Sequence, residues 1–169
     1  VDLRKPLEPS IVRSLPIPGA RASALQFRYL FVVDATGLRV VDVTLPERAH
    51  IVTNAHVPLT DAHRVFVSRT YAYVAAGREG LAIIDIEKPD SPRLYQKFNA
   101  EGRIGDARDV VVGSTNASLF AYVADGRNGL KVVQLTAPDT QPRFYADAHA
   151  RGANAHPAGA NGSGQRVDL

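Results

Sequence analysis

The stretch that decides the fold reads Gly80-Leu81-Ala82-Ile83-Ile84-Asp85, and the chain contains it in three related forms. The other two copies read Gly37-Leu38-Arg39-Val40-Val41-Asp42 and Gly129-Leu130-Lys131-Val132-Val133-Gln134. The interval between the anchoring leucines is 43 residues from Leu38 to Leu81 and 49 residues from Leu81 to Leu130. A period of this length indicates a repeat architecture, in which each repeat is one supersecondary unit.

The residues around this stretch repeat in the same register. Residues 61–67 match residues 106–112, and a fainter version of the same segment begins at Gly19. The middle repeat contains four short segments rich in Val, Ile, Tyr or Phe and bounded by Gly, Pro, Asp or Ser, at 64–67, 71–75, 81–86 and 93–98. This composition is typical of strands joined by turns. Each repeat is therefore predicted to form four strands.

A four-stranded unit of 40 to 50 residues has the size of a propeller blade. A β-sandwich is the alternative all-β fold, but it does not require a sequence period of this length. We therefore predict an all-β chain, a β-propeller segment of about three four-stranded antiparallel blades that is incomplete or closed by additional chain. The predicted blades lie approximately at 21–54, 63–98 and 106–145.

The regions outside the repeats differ in composition. Residues 1–20 are predicted to hold a leading outer strand, near 9–15, and a connection to the first blade. Residues 146–169 are rich in Gly and Ala and are predicted to be a tail or linker, because they offer few apolar anchors to offset the entropy of ordering.

Three blades cannot close a ring around a filled axis, since closed propellers need about four. A row of three would expose an apolar blade face at each end, as uncapped repeat arrays do. We expect the chain to be part of a larger protein. Ring closure by further copies of the chain is the alternative.

Composition excludes several classes of function. The chain has 20 Lys and Arg residues against 17 Asp and Glu residues, and these cations are scattered rather than clustered with aromatics, which argues against nucleic-acid binding. No apolar run approaches the ~20 residues of a membrane span. The chain has no cysteine, which excludes disulfides, thiolate metal sites and covalently attached haem.

At the repeated stretch the chain resembles the LVIVD-repeat family of bacterial β-propeller repeats. The family strand appears as 38–42, 81–85 and 130–134, and the proline that follows it appears as Pro46, Pro89 and Pro138. The third copy departs from the pattern at Gln134. The resemblance covers approximately residues 9–143. It implies a secreted or surface-associated bacterial protein, and some relatives look like partners of multihaem cytochromes.

Three histidines near the first repeat junction are the candidate metal ligands. His50, His56 and His63 lie on the stretch predicted to join the first and second blades, and imidazoles on neighbouring loops can bind a metal or haem iron. Their spacings of six and seven residues match no metal-binding signature. Surface or structural roles are favoured.

Aspartates and glycines recur at equivalent positions of the repeats. Repeated carboxylates could coordinate Ca²⁺, but the chain has no calcium-loop motif. Short carboxylates that accept backbone N–H bonds in turns explain the recurrence better. The predicted structural turn residues are Gly37, Gly80, Gly129, Asp42, Asp85, Asp61 and Asp106.

Arg78 and Arg127 occupy the same turn position in two repeats. Two equivalent guanidinium groups on one rim could bind the carboxylates of a protein partner, and these residues are the candidate partner-binding site. The alternative is that they solvate an exposed hairpin.

No catalytic motif was found. The chain has no Gly-x-Ser-x-Gly elbow, no dinucleotide loop and no phosphate-binding loop. We predict a non-catalytic scaffold or protein-interaction module without a cofactor, in a secreted, periplasmic or cell-surface bacterial protein. The alternatives are a metal- or haem-associated propeller of an extracellular redox complex with a multihaem cytochrome partner, and a homo-oligomeric subunit that completes a ring or filament.

Overall fold

The computed structural model describes residues 10–115 and 118–136 and the backbone of residues 167–168. Its strands form three four-stranded antiparallel sheets, one for each repeat, and the sheets do not close into a ring. The predicted all-β fold of about three propeller blades is therefore confirmed. The described helical residues form only two 3₁₀ turns, Pro46–Arg48 and Gly126–Asn128.

Each blade is a meander in which every strand pairs with the next. Blade 1 contains β1 (Ala22–Gln26), β2 (Tyr29–Asp34), β3 (Gly37–Asp42) and β4 (His50–Pro58). Blade 2 contains β5 (Arg64–Ser68), β6 (Tyr71–Ala75), β7 (Leu81–Asp85) and β8 (Arg93–Phe98). Blade 3 contains β9 (Asp109–Thr115), β10 (Ser118–Ala124), β11 (Leu130–Thr136) and β12 (Val167–Asp168). The first strands, β1, β5 and β9, contact one another and form the inner edge of the array.

The blades stack face to face through two apolar clusters. Residues of blades 1 and 2 form the first cluster, which includes Phe31, Val40, Val74 and Ile84. Residues of blades 2 and 3 form the second, which includes Tyr73, Leu81, Val110, Ala121 and Val123. Strands such as β7 are apolar on both faces because a neighbouring blade covers each face.

The predicted leading strand is absent from residues 10–20, which form no strand, and its first residue lies outside the described part of the chain. Leu15 and Ile17 instead pack on the face of blade 1 that points away from blade 2, against Val32, Val41 and Ala49. Pro16 and Pro18 alternate with these anchors and cannot donate to a sheet ladder. The segment is a partial cover for blade 1.

Two blade boundaries differ from the prediction. Blade 1 continues to Pro58 rather than ending near residue 54. The fourth strand of blade 3 is β12, whose Val167 pairs with Val133, so the region predicted to be a tail contributes a strand. The predicted third-blade end near residue 145 and the remainder of the predicted tail lie outside the described residues.

None of the helical turns in the described ranges is long and apolar enough to cross a membrane.

Candidate functional site: the distal face of blade 3

Polar side chains join the three blades where their inner strands begin. Arg21, His63 and Arg108 are structurally equivalent, since their backbone N–H groups donate to Val33, Ala75 and Ala124 at 2.8 Å in each case. Arg21 reaches from blade 1 to blade 2, where its Nη1 lies 2.6 Å from Asp61 Oδ1 and 3.1 Å from the Ala62 carbonyl oxygen.

The network continues into blade 3. His63 Nε2 lies 2.9 Å from Asp61 Oδ2 and 3.1 Å from Arg108 Nη1, and Arg108 Nε donates to Asp106 Oδ1 at 2.6 Å. The hydrogen bond from Arg21 is the largest cause that holds the pKa of Asp61 below its ordinary value of 3.8. We call Arg21, Asp61, His63, Asp106 and Arg108 the inner-strand network.

The predicted turn aspartates divide into two groups. Asp42 accepts from the N–H of Thr44 at 2.8 Å and Asp85 from the N–H of Glu87 at 2.9 Å, so both cap the turn after the third strand. Asp61 and Asp106 do not follow this expectation, because their described partners are Arg and His side chains. His63 and Arg108, each two residues downstream of an aspartate, supply these side-chain contacts from the same blade.

Two buried aspartates were missed by the sequence analysis. Asp34 accepts from the N–H groups of Thr36 and Gly37 and from Arg39 Nε, while Asp125 accepts from the N–H groups of Gly105 and Asp106. Burial raises the pKa of Asp34, but hydrogen bonds from Thr36 and Arg39 outweigh it and leave that pKa below 3.8. Their shared position at the end of the second strand, one residue after Val33 and Ala124, is visible in the repeat alignment and was the available signal.

The three candidate metal-binding histidines are not brought together. His50 and His56 lie on β4 rather than on a connection between blades, and both are exposed, whereas His63 belongs to the inner-strand network. Among the described residues, no group of three or more His, Asp or Glu side chains is arranged to hold a metal.

Arg78 and Arg127 are both exposed, each in the hairpin between the second and third strands of its blade. The glycines before them lie close to the aspartates of the network. A Cβ on Gly77 would meet Asp61 Oδ2 at 2.8 Å, and one on Gly126 would overlap Asp106 Oδ2. Gly77 also pairs with blade 3, because it exchanges two 3.0 Å backbone hydrogen bonds with Ala107.

The face of blade 3 that points away from blade 2 is apolar and exposed. Tyr122 pairs with Val111 on one side and Val132 on the other, and Leu130 lies on the same face opposite Ala124. The exposed fractions are 61% for Leu130, 49% for Val111 and 36% for Tyr122. We call Val111, Tyr122, Leu130 and Val132 the distal face of blade 3.

Blade 2 shows how this face looks when it is covered. Leu81 and Tyr73, the equivalents of Leu130 and Tyr122, are 0% and 4% exposed because blade 3 packs on them. Sequence analysis predicted exposed blade ends but did not identify these residues. The signal was present, since the last repeat keeps the large apolar residues that the middle repeat buries.

Comparison with known proteins agrees with the repeat. Residues 60–100 and 104–138 each match the family model of the LVIVD repeat. No curated protein sequence gives a significant match to the chain. Both matched segments coincide with a blade, since they enclose β5 to β8 and β9 to β11. Residues 60–100 and 104–138 are therefore two LVIVD repeats.

Proposed function

We propose that the chain is a non-catalytic scaffold whose distal face on blade 3 binds another protein surface. The observation that supports this role is the contrast between the 61% exposed Leu130 and its fully buried equivalent Leu81. Contiguous exposed apolar residues on one sheet face are typical of protein–protein contact sites. Arg127, in the turn just before Leu130, places a cation at the rim of the same face and would pair with a carboxylate of the partner.

Two further observations support a non-catalytic role. The carboxylates with lowered pKa values serve turns and ion pairs, as Asp42 and Asp61 do. Burial between two blades raises the pKa of Tyr73 to about 12, which is a consequence of packing. LVIVD repeats are typical of bacterial extracellular proteins, which supports a secreted or surface location. Arg78 and Arg127 remain the proposed rim cations for a protein partner.

The test is site-specific photo-crosslinking in the cells that produce the protein. A photoreactive phenylalanine analogue at position 130 is expected to give an adduct with another polypeptide. The matched control is the same analogue at Leu45, a comparably exposed position on blade 1 with 54% exposure. Adduct yields that are equally low at positions 130 and 45 would show that the distal face binds no protein.

A further inference from the structure

The contact between blades 2 and 3 indicates which kind of surface fits the distal face of blade 3, because blades 2 and 3 are equivalent repeats. Three kinds of contact make this junction: apolar packing on Tyr73 and Leu81, the double hydrogen bond between Gly77 and Ala107, and the polar network at the inner strands. Each contributor on blade 2 has an equivalent on blade 3. Tyr122 and Leu130 match the apolar pair, and Gly126 matches Gly77 in position and in its φ of +52°.

One backbone donor at this end is available for a further partner, the N–H of Gly126. Gly77 receives its bridge from Ala107, the second residue of the segment Asp106-Ala107-Arg108 that precedes β9. The N–H of Gly126 has no acceptor among the described residues. A docked strand preceded by the same kind of segment would supply it with a carbonyl oxygen in the geometry that Ala107 gives to Gly77.

Arg108 indicates that the covering blade carries a carboxylate near its innermost strand. Its equivalent Arg21 crosses to the next blade and binds both Asp61 and the carbonyl of Ala62. Arg108 has no following blade among the described residues, and its Nε donates to Asp106 of its own blade. The pattern predicts that Arg108 would reach an aspartate of the covering blade, one residue before the alanine that pairs with Gly126.

We infer that the distal face of blade 3 receives a further β-blade whose innermost strand is preceded by Asp-Ala-Arg or Asp-Ala-His. This inference names the partner of the proposed interaction face and therefore rests on the proposed function. The covering side of that blade carries small apolar residues like those that cover blade 2, which are Val110, Val112, Ala121 and Val123.

A second copy of the chain fits this requirement poorly. Its blade 1 has Gly19 where blades 2 and 3 have Asp61 and Asp106, so it offers Arg108 no carboxylate. The face that it would present already packs against Leu15 and Ile17. These two features favour a separate blade of the blade 2 or blade 3 type over head-to-tail association of identical chains.

The test is to append a copy of residues 99–136 directly after Leu169 of the full chain. This join imitates the natural connection from β8 to β9, since β12 ends at Asp168 as β8 ends at Phe98. Hydrogen exchange of the Gly126 amide and of β10 and β11 reports docking. We expect these amides to be protected at least about tenfold more than in the unmodified chain, as contact with a folded blade requires.

The matched control changes only the aspartate of the Asp-Ala-Arg segment in the appended copy. Replacing its aspartate with the glycine found in blade 1 is expected to reduce the protection about tenfold, the effect of one hydrogen bond between charged groups. The variant Leu130→Asp in the original blade 3 is expected to abolish the protection and to leave the fold unchanged, because Leu130 is exposed.

Several results would overturn the inference. The first is failure of both appended copies, residues 99–136 and, in a second variant, residues 60–98. Failure means that the appended copy stays unfolded or that the Gly126 amide stays unprotected. Another is protection of the distal face in the unmodified chain, which would identify the occupant as a second copy if it rises with concentration and as another part of the chain if it does not. A failed appended blade together with crosslinking from position 130 would reject the blade and retain the proposed interaction role.

Discussion

Leu81 and Leu130 each follow a glycine and begin the third strand of consecutive blades, yet one lies in a core and the other faces solvent. Burial of a leucine side chain stabilises a protein by an amount that depends on what covers it. The two residues therefore form a natural matched pair, in which the covering blade is the variable.

Replacing each leucine with alanine measures this difference. We expect Leu81→Ala to lower the free energy of unfolding by about 2–5 kcal/mol, because it leaves a cavity between two blades. We expect Leu130→Ala to change it by less than about 0.5 kcal/mol, as is usual for exposed positions. Urea denaturation followed by circular dichroism checks both values. Equal losses for the two variants would mean that Leu130 is buried in solution.

Repeat alignment identified which residues are equivalent, but the environment of each residue depends on its neighbours in space. Tyr73 and Tyr122 look alike in sequence, and only the stacking order of the blades separates a buried tyrosine from an exposed one. Asp61 and Asp106 were correctly recognised as repeated positions, and His63 and Arg108 pair with them from two residues downstream. Arg21, in contrast, reaches Asp61 from the preceding blade. This contact depends on the distance between blades, which local sequence patterns do not contain.

At the scale of the strand and the hairpin, Gly80, the glycine before the third strand of blade 2, allows a close approach between that turn and β8. Gly80 has a φ of +76° and lies directly against the end of β8. A Cβ there would overlap the Phe98 carbonyl oxygen and approach the Asn99 Cα at 2.8 Å. Backbone atoms cannot move aside as a flexible side chain can.

Alanine at this glycine separates steric overlap from backbone strain. Gly102 is the matched control, with a φ of +87° and no atom within 4 Å of a Cβ built on it. We expect Gly102→Ala to cost about 1–2 kcal/mol, the strain of a left-handed non-glycine residue. Gly80→Ala is expected to cost a further 1–3 kcal/mol or so, because β7 and β8 must separate. Thermal unfolding of both variants gives the comparison, and equal costs would contradict the close approach.

Element boundaries in the middle blade were predicted well because its turns carry explicit signals. Strands β5 to β8 lie within one residue of the predicted segments, and Gly77, Gly80 and Pro89 to Pro92 separate them. Prediction failed where a strand depends on a distant partner. The two residues of β12 have no recognisable pattern of their own and are strands only because they pair with β11.

For the whole molecule, the junction between blades 2 and 3 makes stability depend on pH in the alkaline range. Tyr73 lies in that junction, and its burial raises the pKa of the phenol from 10.0 to about 12. The folded state therefore holds the proton more tightly than the unfolded state does. The stabilisation is complete below pH ~10, where the unfolded tyrosine is also protonated, and is lost as the pH rises towards the folded value.

We expect the urea midpoint of the natural protein to fall more steeply between pH 9.5 and about 12 than that of Tyr73→Phe, which cannot ionise at this position. The phenylalanine variant retains the apolar packing and serves as its own control at pH 7 to 8. Parallel pH profiles for the two proteins would show that Tyr73 is accessible to solvent and that the blades separate readily.

Leu15 and Ile17 pack on the outer face of blade 1, whereas the outer face of blade 3 is exposed. The two ends of the array therefore differ in their stability against local opening. In a one-dimensional stack, each unit is held by its own internal stability and by the junctions to its immediate neighbours. Blade 2 has two junctions, blade 1 has one junction and this segment, and blade 3 has one junction among the described residues. Local opening should therefore begin at blade 3 and travel inwards, with blade 2 the last to lose its amide protons to exchange. The end of the stack that offers a binding surface is also the end that is least firmly held, so a partner that binds there would stabilise every blade behind it.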